Sequence, residues 1–157
     1  MVNEKFILVI ADGSKEMDVA LRYACARSKK TNRKIMIATF IEPLDVLTTQ
    51  GVTEIMQNEA REEAEKRLQY ASSVVKESTG ILPVLHVKEG EIIQELKKII
   101  NEEKNINVLV LGANVDEKEK YPGPIINSLV SKELSNFRVP IMIVPGNFST
   151  EHISLIS

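Results

Sequence analysis

The sequence predicts an α/β domain: a doubly wound sheet of five parallel strands with helices on both faces. Three observations lead there. Strand and helix signals alternate along the whole chain, with no Gly/Ser linker or low-complexity segment to divide it. The central strand segments are continuous apolar runs rather than alternating ones, the pattern of strands covered on both faces. The segments between strands are long enough to be helical crossovers joining parallel neighbours. A chain of 157 residues with 43% hydrophobic content fits one such unit. We place the domain at 1–146 and a C-terminal tail at 147–157.

Each element has its own warrant. "KFILVIA" (5–11) is a buried first strand, and Ser14, after its Asp-Gly stop, suits a helix cap better than a phosphate contact. Met17, Ala20, Leu21, Ala24 and Ser28 recur at helical spacing as far as about Thr31, and Asn32 can close that helix in a left-handed conformation. "KIMIATFI" (34–41) is the second strand, stopped by Glu42-Pro43. A connector over 43–52 leads to Thr53 as N-cap of a long helix with Met56, Ala60, Ala64, Leu68, Ala71 and Val75 on one face and Gly80 at its end. "ILPVLHV" (81–87) is the third strand, and Pro83 assigns it to a sheet edge because proline cannot donate to a ladder. Glu91 opens a helix with Ile92, Ile93, Leu96, Ile99 and Ile100 inward. "NVLVLG" (107–112), a helix from Ile125 to about Asn136, and "VPIMIVPG" (139–146) complete the set. On this pattern two strand orders stay open, 3-2-1-4-5 and 2-1-3-4-5. Either sheet would bind ligands outside the carboxyl ends of its strands, where the order reverses.

Composition narrows the function classes. Twenty basic residues against 22 acidic, with no basic block, leave no electrostatic footprint for nucleic acid and no polybasic membrane anchor. Small molecules and proteins are the expected partners. No apolar run approaches the roughly 18 residues that span a bilayer, and the N-terminal apolar stretch reads as a strand rather than a signal peptide. Cys25 has no disulfide partner and lies in an Ala-rich helical stretch, so we expect a small buried apolar group and a cytoplasmic location. His86 and His152 lack Cys or carboxylate neighbours at ligand spacing, and no metal site is expected. The phosphate loop G-x-x-x-x-G-K-[ST] is absent, so P-loop hydrolysis is not supported and no enzymatic activity is assigned. A slow ATPase using Asp12 near a metal-bound phosphate is the rival reading, and the glycines missing between Gly112 and Ser128 speak against it. A receiver-like domain is disfavoured because the first strand ends in one acid and the third in "HVKEG".

The stretches "ILVIADGSKEMDVALRYA" (7–24), "TFIEP" (39–43), "VLVLGA" (108–113) and "RVPIMIVPG" (138–146) resemble the universal stress protein A family, and the likeness covers nearly the whole chain. The resemblance implies the order 3-2-1-4-5, a homodimer and, in one branch, an adenine nucleotide between strands 1 and 4. That order lines the crevice with Asp12, Gly13 and Ser14 on one side and Gly112, Ala113 and Asn114 on the other. By resemblance, Ile10, Ala11, Asp12, Phe40, Leu111 and Gly112 occupy base and ribose positions. Asn127, Ser128 and Leu129 stand at the helix start that holds phosphate. A carboxylate at Asp12 can accept from ribose hydroxyls or an adenine amine, although turn chemistry also explains Asp-Gly. Phe40 replaces a smaller Val-like residue and has the bulk to fill the adenine space.

The phosphate half is degraded. Gly112 matches the family's first glycine, Val115 replaces the second, and Asn127-Ser128 replaces a Gly-Ser or Gly-Thr pair. Residues 116–126 intervene, 11 where the family has nine. Asp116, Glu117 and Glu119 against Lys118 and Lys120 leave the loop near neutral. The ligand implied is ATP or AMP, with or without magnesium, held weakly. The alternative is a homodimeric interaction module of the same fold with no ligand. In that order strand 5 is an edge, and Pro140, Ile141, Met142, Ile143 and Val144 form an apolar strip that a second copy would cover about a two-fold axis. The tail residues Ile153, Leu155 and Ile156 either dock on that partner or fray.

Overall fold

The computed structural model describes residues 4–43, 50–118 and 121–157. Its strands are β1 (Phe6–Ile10), β2 (Lys34–Ile41), β3 (Val84–Glu89), β4 (Ile106–Ala113) and β5 (Ile141–Pro145). Its helices are α1 (Lys15–Thr31), α2 (Gln50–Thr79), α3 (Ile92–Glu102), α4 (Pro124–Ser128) and α5 (Thr150–Ile156). All four pairings are parallel and the order is β3-β2-β1-β4-β5, so the topology turns around between β1 and β4.

Successive side chains of a strand point to opposite faces, so a strand buried on both sides supplies two cores at once. In β1, Leu8 and Ile10 join Ile93, Leu96 and Ile99 of α3 and Ile125 and Ile126 of α4. On the other side Ile7 and Val9 join Leu21, Ala24 and Cys25 of α1 and Leu68, Ala71 and Val75 of α2. The register of β1 against β4 slips between Phe6 and Ile7. This irregularity lets Ile106 and Leu109, three apart in sequence, enter the same core.

Helix ends follow the sequence signals where a side chain does the capping. Met17 N–H donates to Ser14 Oγ at 3.2 Å, and Asn32 takes φ 56° after the last turn of α1. Glu91 accepts from the N–H groups of Ile93 (3.1 Å) and Gln94 (2.9 Å), placing an acid at a helix N-terminus where the dipole favours it.

Other boundaries differ from expectation. Helix α2 begins at Gln50, which puts Thr53 inside the helix rather than at its cap. Its stripe is buried at Ala64, Leu68, Ala71 and Val75, whereas Met56 is exposed, so the helix packs through its C-terminal half. Residues 44–49 of the expected connector lie outside the described residues. Strand β3 starts after Pro83, at the edge where the proline assigned it. The fourth helix is regular only to Ser128 and continues as a π segment (Leu129–Glu133) and a 3-10 turn (Leu134–Asn136). Ser131 Oγ donates back to the Asn127 carbonyl at 2.6 Å, a bond of the kind that bends helices. The tail forms α5, capped by Ser149, which accepts from His152 N–H at 3.1 Å. Ile153 packs into the chain's own core beside α1 and α2, while Leu155 and Ile156 stay exposed.

Cys25 is 1% exposed, as its Ala-rich setting predicts. Burial pushes its thiol from 9.0 to about 11, against a smaller opposing pull from a hydrogen bond with Ser78. Between those two values the folded chain keeps a proton that the unfolded chain loses. The stability this group contributes below pH 9.0 is therefore lost as pH rises toward about 11. At pH 8 we expect iodoacetamide to modify native Cys25 about a hundredfold more slowly than the denatured chain, as read by mass spectrometry. Comparable rates would contradict the burial.

Candidate functional site

Strands β1 and β4 run in parallel register to the pair Val9–Val110, so Ile10 and Leu111 follow as neighbours, each still paired to its outer strand. Beyond them β1 breaks at Gly13, with φ 81°, while β4 runs on to Ala113. Ser14 N–H donates to Asp12 Oδ1 at 2.9 Å, which, with the Ser14 cap, turns the chain into α1. Turn chemistry thus uses one oxygen of Asp12. The residue is exposed, and no other bond to it forms among the described residues, so the second oxygen is available at the point of reversal.

Gly112 has a packing reason of its own. A Cβ there would lie 1.8 Å from the Glu16 carbonyl oxygen, and one on Gly146 would lie 2.7 Å from Glu16 Cβ and 2.8 Å from the Ala113 oxygen. The first turn of α1 rests directly on the ends of β4 and β5. Gly112 N–H also lies 3.4 Å from Met17 Sδ. The sequence reading credited this glycine to phosphate, but contact with α1 requires it in any case.

The base-side residues come together only in part: Ile10, Phe40 and Leu111 share one buried cluster with Leu129 of the phosphate side, in which Phe40 is only 8% exposed, whereas the half-buried Ala11 packs against the opposite cluster. The phosphate-side residues are less gathered: Asn127 is exposed and Ser128 half-buried, on a helix whose N-cap, Gly123, supplies no side-chain bond. In the loop, Asp116 N–H donates to Asn114 Oδ1 (3.0 Å) and Lys118 N–H to Asp116 Oδ1 (2.9 Å). Those backbone donors, which a phosphate would need, are already satisfied by the loop's own side chains. Glu119 and Lys120 lie outside the described residues.

A cavity of about 470 Å³ opens on the opposite face of β1, between α1 and α2. Arg67 Nε donates to Thr39 Oγ1 at 3.2 Å, and the fully buried Thr39 donates to the Ala11 carbonyl at 2.7 Å. Nearby, Asp18 accepts from Arg22 Nε (3.0 Å) and from the Tyr70 hydroxyl (2.7 Å). The bond to Asp18 is the main reason that the Arg22 and Tyr70 values are both raised. Sequence reasoning missed Lys66, Arg67 and Tyr70. The signal was available: Arg67 is three residues after Ala64 and four before Ala71, on the flank of the buried stripe, where a charge calls for a reason.

Of the expected edge residues, Met142 and Ile143 are 38% and 42% exposed, Ile141 is half-buried and Val144 is buried. Pro140 precedes the strand and accepts from Leu109 N–H at 3.0 Å.

Comparisons with known proteins agree on one family. The profile of the Universal stress protein family matches residues 5–145. A universal stress family protein from Burkholderia pseudomallei superposes with TM-score 0.70 at 18% identity, covering 92% of this chain and 98% of its own. A universal stress protein from Archaeoglobus fulgidus, solved with dAMP, gives TM-score 0.63 at 14% identity over 92% and 99% of the two chains. An Arabidopsis thaliana family member with AMP bound gives 0.59 at 11% over 90% and 91%. At such identities the structural likeness is one of fold. The sequence has no significant match among curated proteins.

Proposed function

The chain belongs to the universal stress protein family, and from that premise we propose that it binds an adenosine monophosphate at the carboxyl ends of β1 and β4. In this reading, base and ribose contacts outweigh phosphate contacts. The observation that carries it is the reversal of strand order between β1 and β4, parallel neighbours in register to Val9–Val110, with the exposed Asp12 two residues beyond the end of β1. Asp12 accepts from the ribose hydroxyls, and Ile10, Ala11, Leu111 and Gly112 wall the base. Leu129 backs it, and Asn127 and Ser128 are the phosphate-side contacts. Two relatives were solved with nucleoside monophosphates. A loop whose N–H groups at Asp116 and Lys118 are already occupied suits one phosphate better than three. Phe40 must turn aside for the base, so affinity is low.

Calorimetric titration with AMP, ADP and ATP, each with and without magnesium, tests this reading. We expect AMP to bind with Kd weaker than about 10 μM, ATP to bind no more tightly than AMP, and magnesium to have no effect. An ATP affinity tenfold above that of AMP would contradict it. Silence with every nucleotide at millimolar concentration would leave the second reading, a ligand-free dimeric interaction module. That reading draws on the exposed Met142 and Ile143 along an edge strand paired on one side only. For the dimer, we expect sedimentation to give twice the chain mass and Ile143→Lys to return it to the monomer; a wild-type monomer at about 100 μM, a concentration at which even a modest interface associates, would contradict it. A cytoplasmic setting fits the single buried thiol.

A further inference from the structure

The cavity between α1 and α2 shares Ile10, Ala11 and Asp12 with the nucleotide site, but the nucleotide reading makes no use of its α2 wall, Lys66, Arg67, Tyr70 and Ala71. Its volume, about 470 Å³, lies within the usual range for small-molecule sites. Its floor is hydrocarbon: Val9, Leu21, Ile37 and Ala71 line it and offer no side-chain hydrogen bond. Its rim carries Asp12, Lys15, Asp18, Lys66 and Arg67. Asp18 is already engaged by Arg22 and the Tyr70 hydroxyl, and one oxygen of Asp12 by Ser14. Of the three cations, Lys66 lies 3.7 Å from Glu63, and among the described residues Arg67 bonds only to the Thr39 hydroxyl. The mouth therefore holds a guanidinium with no carboxylate partner among those residues, above an apolar floor.

Arg67 is the distinctive group. It is half-buried, and its Nε is fixed by Thr39, itself held by the Ala11 carbonyl. No carboxylate pairs with it among the described residues. A Cβ on Gly13 would lie 3.3 Å from Arg67 Cδ, so the side-chain stem packs under the β1–α1 turn. An anchored guanidinium presents a planar fork of N–H donors, which matches a carboxylate better than a point charge does. We propose that this cavity binds a small organic anion, an apolar body ending in a carboxylate, with the carboxylate on Arg67 and the body on the floor formed by Val9, Leu21, Ile37 and Ala71.

The test titrates 3-phenylpropionate into ¹⁵N-labelled protein, with 3-phenylpropan-1-ol and inorganic phosphate as comparators. The acid is expected to shift the amides of Gly13, Thr39, Arg67 and Ala71 saturably. The alcohol, which lacks the charge, and phosphate, which lacks the body, should each bind at least about tenfold more weakly. Arg67→Met should lower affinity for the acid by about tenfold or more. If that variant does not fold, Arg67→Lys, which keeps the charge and loses the fork, must weaken binding in the same sense. No saturable shift with the acid, equal binding of the alcohol, or affinity unchanged in the Arg67 variants would overturn the proposal.

Discussion

Replacing Gly112 with alanine is expected to destabilise the protein by about 3 kcal/mol or more, lowering its Tm by roughly 6–12 °C at the 2–4 °C per kcal/mol usual for this size. The added methyl carbon would lie 1.8 Å from the Glu16 carbonyl oxygen and 2.3 Å from its carbon. Both atoms are backbone, in the first turn of α1, so no rotamer change relieves the clash. Either α1 lifts from the end of β4 or β4 shifts within a sheet to which it is paired on both sides. Each movement disturbs buried apolar contacts. Gly51→Ala is the control: nothing lies within 4 Å of a Cβ there, and alanine in a helix should gain up to about 1 kcal/mol. Calorimetry of the two variants checks the contrast. A Gly112 variant as stable as wild type would mean that α1 does not rest on β4.

Phe40→Val should separate stability from binding. Phe40 is packed with Ile10, Leu111 and Leu129, and truncation leaves a cavity costing about 2 kcal/mol, below the 3–5 typical of Phe→Ala because valine retains part of the volume. The same cavity lies where the family resemblance puts the base. We therefore expect AMP affinity to rise by about tenfold, since the wild-type protein must displace the ring first. Denaturant unfolding and calorimetric titration of one preparation give both quantities. Lost stability with unchanged affinity would mean that the base does not use this space.

How much of this was legible depends on which physical signal each residue carries. Strand β2 was read to the residue because both ends are punctuated, and Asn32 and Glu91 because their capping is a local event. Strand order was not legible: crossover length says that two strands are parallel but not on which side the next one lies, so the order needed the family likeness. The start of α2 was misplaced because Thr53 is a good cap residue in a stretch with no competing stop signal. The π segment after Ser128 leaves no mark in an apolar pattern that suits a plain helix equally well. Gly112 shows how one residue can satisfy two explanations, since a glycine that admits phosphate also admits a neighbouring carbonyl. The link from Arg67 through Thr39 to Ala11 joins three elements far apart in sequence, and only the fold could reveal it.

Amide chemical-shift mapping of an AMP titration is the most direct test of the site at the β1–β4 reversal. We predict saturable shifts at Ala11–Gly13 and Leu111–Asn114. They should weaken in Asp12→Asn, which keeps the acceptor for Ser14 N–H and removes the charge. No shift at millimolar AMP, or shifts elsewhere that Asp12→Asn leaves unchanged, would contradict the account.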